Sequence, residues 1–536
     1  MKIFISQDGK TQIPSGNVGI SLSDAEFCAD GGLFAERLEN RGFEKTDKSG
    51  FASYPEEFDT ELRMKTDRPL FPETPNYLRL SVSAGGRDIK NTAHGGISIT
   101  AGVKYELSFY LRSYDFRGTV TAGVQNGQTS FEKKFKVKPD GKWHRFVFRK
   151  KAKRDIKNGE FILTLSGAGK VHLDWFSFAP TNAIKGLFRR DLAELIKDFK
   201  PGFVRYFGGA ELKDTLAKPE HRKRKLCGMG FYEFFLFCEY LCAKPVPVLN
   251  FPDFDEESLQ SIFDLIEFAV GESDSEWGSL REELGHEEPF ALETLELLPT
   301  DAAADQRALL DAFAERIHQK YPHIKLIVPA DGSESAFDHF YAREALLIKE
   351  PKWFYENVRR YDGFPRSRRI AVNFAARGES PWEGALAEAA FMCGLEQNAD
   401  VAVMNSHAAL IADENARRAL KKYDGKTVAL PALHIQKIFS LYTGNFALKT
   451  RVEGTENVFA SASEREGLTY LKIINAGDET LEAEIEGDFE FGELTRIIRM
   501  EQSPESGQIL PSEVAPYAAR MLSLSPHSFS LLVLRR

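Results

Sequence analysis

The chain has 536 residues, too many for one hydrophobic core, so about two to four domains are expected. A hydrophobic fraction of 43% and a charged fraction of 28% exclude a disordered chain, and a net charge of -9 gives no basic footprint for nucleic acid or an anionic membrane. The N-terminus, MKIFISQDGKTQIP, lacks the apolar core of a signal peptide, and no apolar run reaches the ~18 residues of a membrane span. Five cysteines are an odd count, and Cys238 and Cys242 stand four apart on a predicted helix with no third ligand near them in sequence. They read as free thiols, so the expectation is a cytoplasmic protein with no metal and no cofactor. The basic cluster His221 to Lys225 reads as a solvated loop.

Residues Asn17 to Glu44 begin like a buried strand. From about Glu57 to Pro180 the pattern turns to short alternating strands, among them YLRLSVS, KYELSFYLRS, EFILTLSG and KVHLDWFSF, separated by turn residues such as Asn126-Gly127 and Asp140-Gly141. That predicts an antiparallel β-sandwich. From about Gly186 to Ser440 strands alternate with amphipathic helices. GLFRRDLAELIKDFKP is a helix with Leu192, Leu195, Ile196 and Phe199 on one face, closed by Pro201. GFVRYF, KPVPVLNF, ETLELL, IKLIVPA, RRIAVNFA and DVAVMNS are strand-like, and this many βα units predict a (β/α)₈ barrel. From about Thr443 the pattern returns to β, a second sandwich to which the N-terminal residues are candidate contributors.

The string ADGGLFAE, Ala29 to Glu36, resembles the opening of the α-L-arabinofuranosidases of glycoside hydrolase family 51, in the subgroup with an inserted carbohydrate-binding-like sandwich. The resemblance runs on through GLFRRDLAELIKDFKPGFVRYFGG, DLIEFAVGESDSEWGSLREELGHEEPF, EPKWFYENVRRYD and GALAEAAFMCGLEQNADVAVMNS, and closes with SPHSFSLLVLRR. It implies an α/β plus β architecture: a (β/α)₈ TIM barrel, its first strand near residues 17–22, with an inserted N-terminal β-sandwich and a C-terminal β-sandwich. The expected divisions are 1–44 for the N-terminal segment with the first barrel strand, 45–182 for the inserted sandwich, 183–442 for the barrel and 443–536 for the C-terminal sandwich.

Members of that family are retaining glycosidases, which need two carboxyl groups about 5–5.5 Å apart. The resemblance puts the acid/base in an Asn-Glu pair at the end of barrel strand four, where this chain reads Pro299-Thr300. It puts the nucleophile after strand seven's glycine, where Val372-Asn373-Phe374-Ala375 offers Asn373. A threonine hydroxyl is too weak an acid for the first task, and an amide has no carboxylate for the second. An arabinose-holding acidic residue aligns with Ser23, followed by Asp24. Arg205 is kept, whereas the polar residue that ends its motif is Ala210. The strand-six His-Tyr/Phe-Tyr motif reads either as Leu346-Leu347-Ile348, counted without gaps from Pro351, or as a displaced Asp338-His339-Phe340-Tyr341. Asp301, Glu211 and Glu379 are the candidate relocated carboxylates. Glu296 reads as structural, and His407 is a candidate for the barrel mouth.

The expectation is an arabinofuranosidase-like homologue inactive by the retaining mechanism, a pseudoenzyme binding an arabinose-containing glycan or regulating a partner. One alternative is an active glycosidase with relocated carboxylates; another is a structural subunit, in a homo- or hetero-oligomer, beside an active homologue. Tyr77, Tyr105, Tyr110 and Trp143 are the aromatic candidates for a sugar platform on the inserted sandwich.

Overall fold

A computed structural model describes residues 1–23, 32–44, 62–83, 86–93, 96–127, 129–208, 229–251, 253–299, 307–329, 340–378, 380–408, 410–412, 420–423, 426–489, 492–502, 509–515 and 521–535. At its centre eight parallel strands close into a barrel in chain order: β1 (Val18–Ser23), β2 (Phe203–Phe207), β3 (Lys244–Phe251), β4 (Thr294–Pro299), β5 (Lys325–Pro329), β6 (Phe340–Ile348), β7 (Ile370–Ala376) and β8 (Ala402–His407). Closure is made by β8 against β1, with Asn405, Ser406 and His407 opposite Val18, Gly19 and Ile20.

Helices pack their apolar faces on the outside of these strands. α1 (Arg190–Phe199) buries Leu192, Ala193, Ile196 and Phe199, and it stops where Lys200 turns left-handed (φ 54°) ahead of Pro201. α2 (Phe231–Leu241) and α3 (Glu256–Val270) follow, the latter capped by Asp255, whose carboxylate accepts from Ser258 N at 2.8 Å. α4 (Glu276–Glu283), α5 (Arg307–Lys320) and α6 (Pro351–Glu356) continue the series. α7 (Pro381–Gln397) is buried on nearly every side, because the barrel takes one face and the C-terminal sheet the other. α8 (Pro431–Leu441) completes the ring.

Between β1 and β2 the chain forms the inserted sandwich around its own core of Leu80, Ile89, Phe109, Val120, Leu163 and Phe176 among others. EFILTLSG and KVHLDWFSF, expected as two strands, are one 25-residue strand, Ile156–Pro180. Its first half pairs with Arg87–Asn91 and Arg117–Gln125, its second with Tyr77–Val82 and Lys104–Ser113. The strand changes sheets at Gly167 and Gly169, with φ 153° and 126°, where an added Cβ would lie 2.2 Å from Arg117 O and 2.5 Å from Phe116 Cα. Only glycine fits that crossing.

Glu36, the last residue of ADGGLFAE, fastens the sandwich to the segment leaving β1. One oxygen accepts from the backbone N–H groups of Arg37, Leu38 and Phe178, and the other from Ser177 Oγ at 2.7 Å and Arg41 Nη1 at 3.0 Å. The C-terminal strands form a nine-stranded sheet curled around Leu448, Val458, Leu471, Ile473, Leu522 and Leu532. Lys2–Gln12 lies inside that sheet, antiparallel to Phe446–Glu453 and parallel to Leu481–Gly487.

Candidate functional site

Alternate residues of each barrel strand face inward. At the N-terminal end of the strands the interior is plugged by Phe203, Val246, Ile327 and Ala371, with Tyr341 and Met404 packed on them. Gly19 belongs to the same level, where a Cβ would strike the Phe203 ring at 2.6 Å. Two residues further along their strands the composition changes to Ser21, Arg205, Arg343, Asn373 and Ser406, and Glu296 joins them from β4.

Glu296 is fully buried and Arg205 is 3% exposed. Arg205 donates Nε to Glu296 Oε2 at 2.8 Å and Nη2 to Oε1 at 2.6 Å, a two-pronged pairing suited to a planar guanidinium. Arg343 Nε approaches Glu296 Oε1 to 2.8 Å from the other side, and burial lowers the Arg343 pKa. Arg205 Nη1 also donates to Ser21 Oγ at 3.1 Å. Ser21 Oγ in turn donates to Asn373 Oδ1 at 3.2 Å, and Ser406 Oγ donates to the same oxygen at 3.1 Å. The interior is therefore one polar chain from Glu296 through Arg205 and Ser21 to Asn373.

Several residues singled out from the sequence take other places. Asn373 and Arg205 are in this interior, and Ser23 and Pro299 end β1 and β4 at the rim. Tyr341 lies at the opposite end, in the plug, because β6 runs from Phe340 to Ile348 and sets Ala345 opposite Asn373. The β6 pairing sets Leu346, Leu347 and Ile348 opposite Phe374, Ala375 and Ala376 at the C-terminal end of the strand. His407 is not in the mouth: the β8 alternation turns it outward, with Nε2 3.3 Å from Glu388 Oε1 on α7, both side chains buried. Asp24, Ala210, Glu211, Thr300, Asp301, Asp338, His339 and Glu379 lie outside the described residues. Of the platform candidates, Tyr105 is 2% exposed inside the sandwich core and Tyr77 1% exposed, its ring edge-on to Trp143. Tyr110 meets Phe71 edge-on.

Arg343 was not among the sequence candidates. The signal was there: counting back from Pro351 puts Arg343 on the inward-facing alternation of β6, two residues after Tyr341.

Residues 195–366 match the family model for the α-L-arabinofuranosidase 1 domain, and residues 370–516 that for the α-L-arabinofuranosidase C-terminal domain. An extracellular exo-α-L-arabinofuranosidase from Streptomyces chartreusis is 28% identical over 86% of this chain, which spans 63% of that relative's length. α-L-Arabinofuranosidase 1 from Arabidopsis thaliana is 26% identical over 99% of this chain and 90% of its own. Among solved structures, the arabinose-bound MgGH51 α-L-arabinofuranosidase superposes with a TM-score of 0.86 at 22% identity, covering all of both chains. An arabinose complex of the Thermotoga maritima α-L-arabinofuranosidase covers 66% of this chain and 91% of its own, with a TM-score of 0.56 at 15% identity. The expectation of a cytoplasmic protein does not survive these comparisons, since the Streptomyces relative is named as extracellular. Among the described residues, no helix is long and apolar enough to cross a membrane.

Proposed function

We propose, on the premise that this chain is a homologue of the α-L-arabinofuranosidases of glycoside hydrolase family 51, that it binds a glycan in the barrel mouth without cleaving it by the retaining mechanism. The observation that carries the reading is Asn373. It stands at the position where the resemblance puts the nucleophile, 6% exposed, and its carbonyl oxygen accepts hydrogen bonds from Ser21 and Ser406. An amide held in that way has no carboxylate with which to form a glycosyl intermediate. Glu296, the carboxylate described in this interior, faces Arg205 and Arg343 and is wholly buried, so it does not reach a glycosidic oxygen. The neighbouring Pro299 and Thr300, where the acid/base would stand, offer no carboxylic acid either.

The test is hydrolysis of an aryl α-L-arabinofuranoside by the purified full chain at high concentration, beside an active homologue. The expected result is no turnover above buffer. Losing general acid/base help alone costs about 10² to 10⁴ in rate, and losing the nucleophile as well removes the covalent route. Turnover clearly above buffer overturns the reading and directs mutagenesis to Asp301 and Glu379.

A further inference from the structure

The charges inside the barrel do not balance among the described residues. Arg205 uses both oxygens of Glu296 and spends a third donor on Ser21. Among the described residues Arg343 faces only the same carboxylate, and although its Nε is 2.8 Å from Glu296 Oε1, the approach makes no hydrogen bond and leaves the N–H buried without an acceptor. Two guanidinium groups thus share one carboxylate. Arginine keeps its proton even when desolvated, so the surplus is a fixed positive charge. Desolvating a charge without a counterion is costly, and this cation sits at the base of a mouth built on a carbohydrate-enzyme scaffold. Arg343 is the more open of the pair, with its side chain 21% exposed against 3% for Arg205.

We propose that the mouth takes a carboxylate-bearing sugar, a uronic acid residue whose carboxylate pairs with Arg343. The inference rests on the reading of this mouth as a non-hydrolytic glycan site, and it adds the ligand's charge. The surplus is one positive charge, which a carboxylate matches; its two oxygens also suit the planar fork of a guanidinium. A phosphate monoester brings closer to two negative charges. Asn373 fits the same picture: a glutamate there would supply the missing negative charge from the protein, whereas an amide leaves it for the ligand.

The experiment is calorimetric titration of the full chain with galacturonate, galactose, arabinose and inorganic phosphate, at low and high salt, repeated with Arg343→Gln and Arg343→Lys. Galacturonate is expected to bind more tightly than either neutral sugar and than phosphate, and to weaken as salt rises. Arg343→Gln is expected to weaken galacturonate about tenfold or more, the loss of one charge-assisted pairing, and to leave galactose unchanged. Arg343→Lys keeps the charge but not the fork, so it retains the salt dependence at reduced affinity. Circular dichroism confirms that each variant is folded. Equal binding of galacturonate and galactose, a phosphate affinity matching that of galacturonate, or a folded Arg343→Gln that binds galacturonate like the parent overturns the inference. Turnover of the aryl arabinofuranoside strikes the proposed function, whereas an inert protein without uronate preference strikes this inference alone.

Discussion

Glu296 shows how a charge inside a barrel becomes structural. With no exposed surface and a guanidinium on either side, it faces more positive charge than it can neutralise. Removing its charge is therefore worse than removing an ordinary salt bridge. Glu296→Gln leaves the buried Arg205 and the partly buried Arg343 without this counterion and is expected to cost about 3–5 kcal/mol, read as a lower midpoint in urea unfolding. A change within experimental error shows that the pair contributes nothing net. The identity of Asn373 within Val372-Asn373-Phe374-Ala375 was plain in the sequence, as was the absence of a glutamate there. That Asn373 bonds to Ser21 and Ser406 was not, because those serines are 352 and 33 residues away and meet it only through barrel closure.

At the scale of elements, most of the barrel was legible from runs of alternating strand and helix, and β1 falls within a residue of its expected position. β6 was not. Two frames competed because FYAREALLI has no strict apolar alternation, and only pairing with β5 and β7 fixes which residues turn inward. The sandwich gave the opposite error, one strand read as two, since Gly167 and Gly169 signal a turn but here let a continuous strand cross between sheets. On the outer face of that strand Asp174 is 2% exposed, and burial pushes its carboxyl up to about 8, with Glu44 adding to the rise and the Trp175 N–H opposing it. The folded state therefore holds this proton where the unfolded chain, with the ordinary value of 3.8, has released it. Stability contributed by the proton is fully present below about pH 4 and declines as pH rises toward 8. Asp174→Asn is expected to flatten that decline in melting temperature between pH 4 and 8, and an unchanged slope refutes the assignment.

At the scale of the whole molecule, α7 joins the barrel to the C-terminal sheet through a buried charge. Glu396 near its end accepts from Lys472 Nζ at 2.5 Å, Ser461 Oγ at 2.5 Å and Ser463 Oγ at 2.9 Å, with Lys472 wholly buried. The Gln397 amide adds a bond to Ala460 O at 3.1 Å. Lys472→Met strands the Glu396 carboxylate and is expected to cost about 3–5 kcal/mol, while the double variant with Glu396→Leu recovers most of it. Calorimetry reads both; a double variant no more stable than the single one shows that the carboxylate was not the penalty.

The strand Lys2–Gln12 pairs on one side with Phe446–Glu453 and on the other with Leu481–Gly487, and so occupies the middle of a sheet whose other strands all follow the barrel in sequence. On a ribosome it is made before every partner it will have. At about 5–20 residues per second, some tens of seconds pass between its emergence and theirs. Throughout that interval a β-prone segment with both edges open is exposed, held only by whatever chaperone or nascent structure is at hand. A slow-growing chain of this fold therefore carries an open strand through most of its synthesis, and the strands made after the barrel are the ones that cover it.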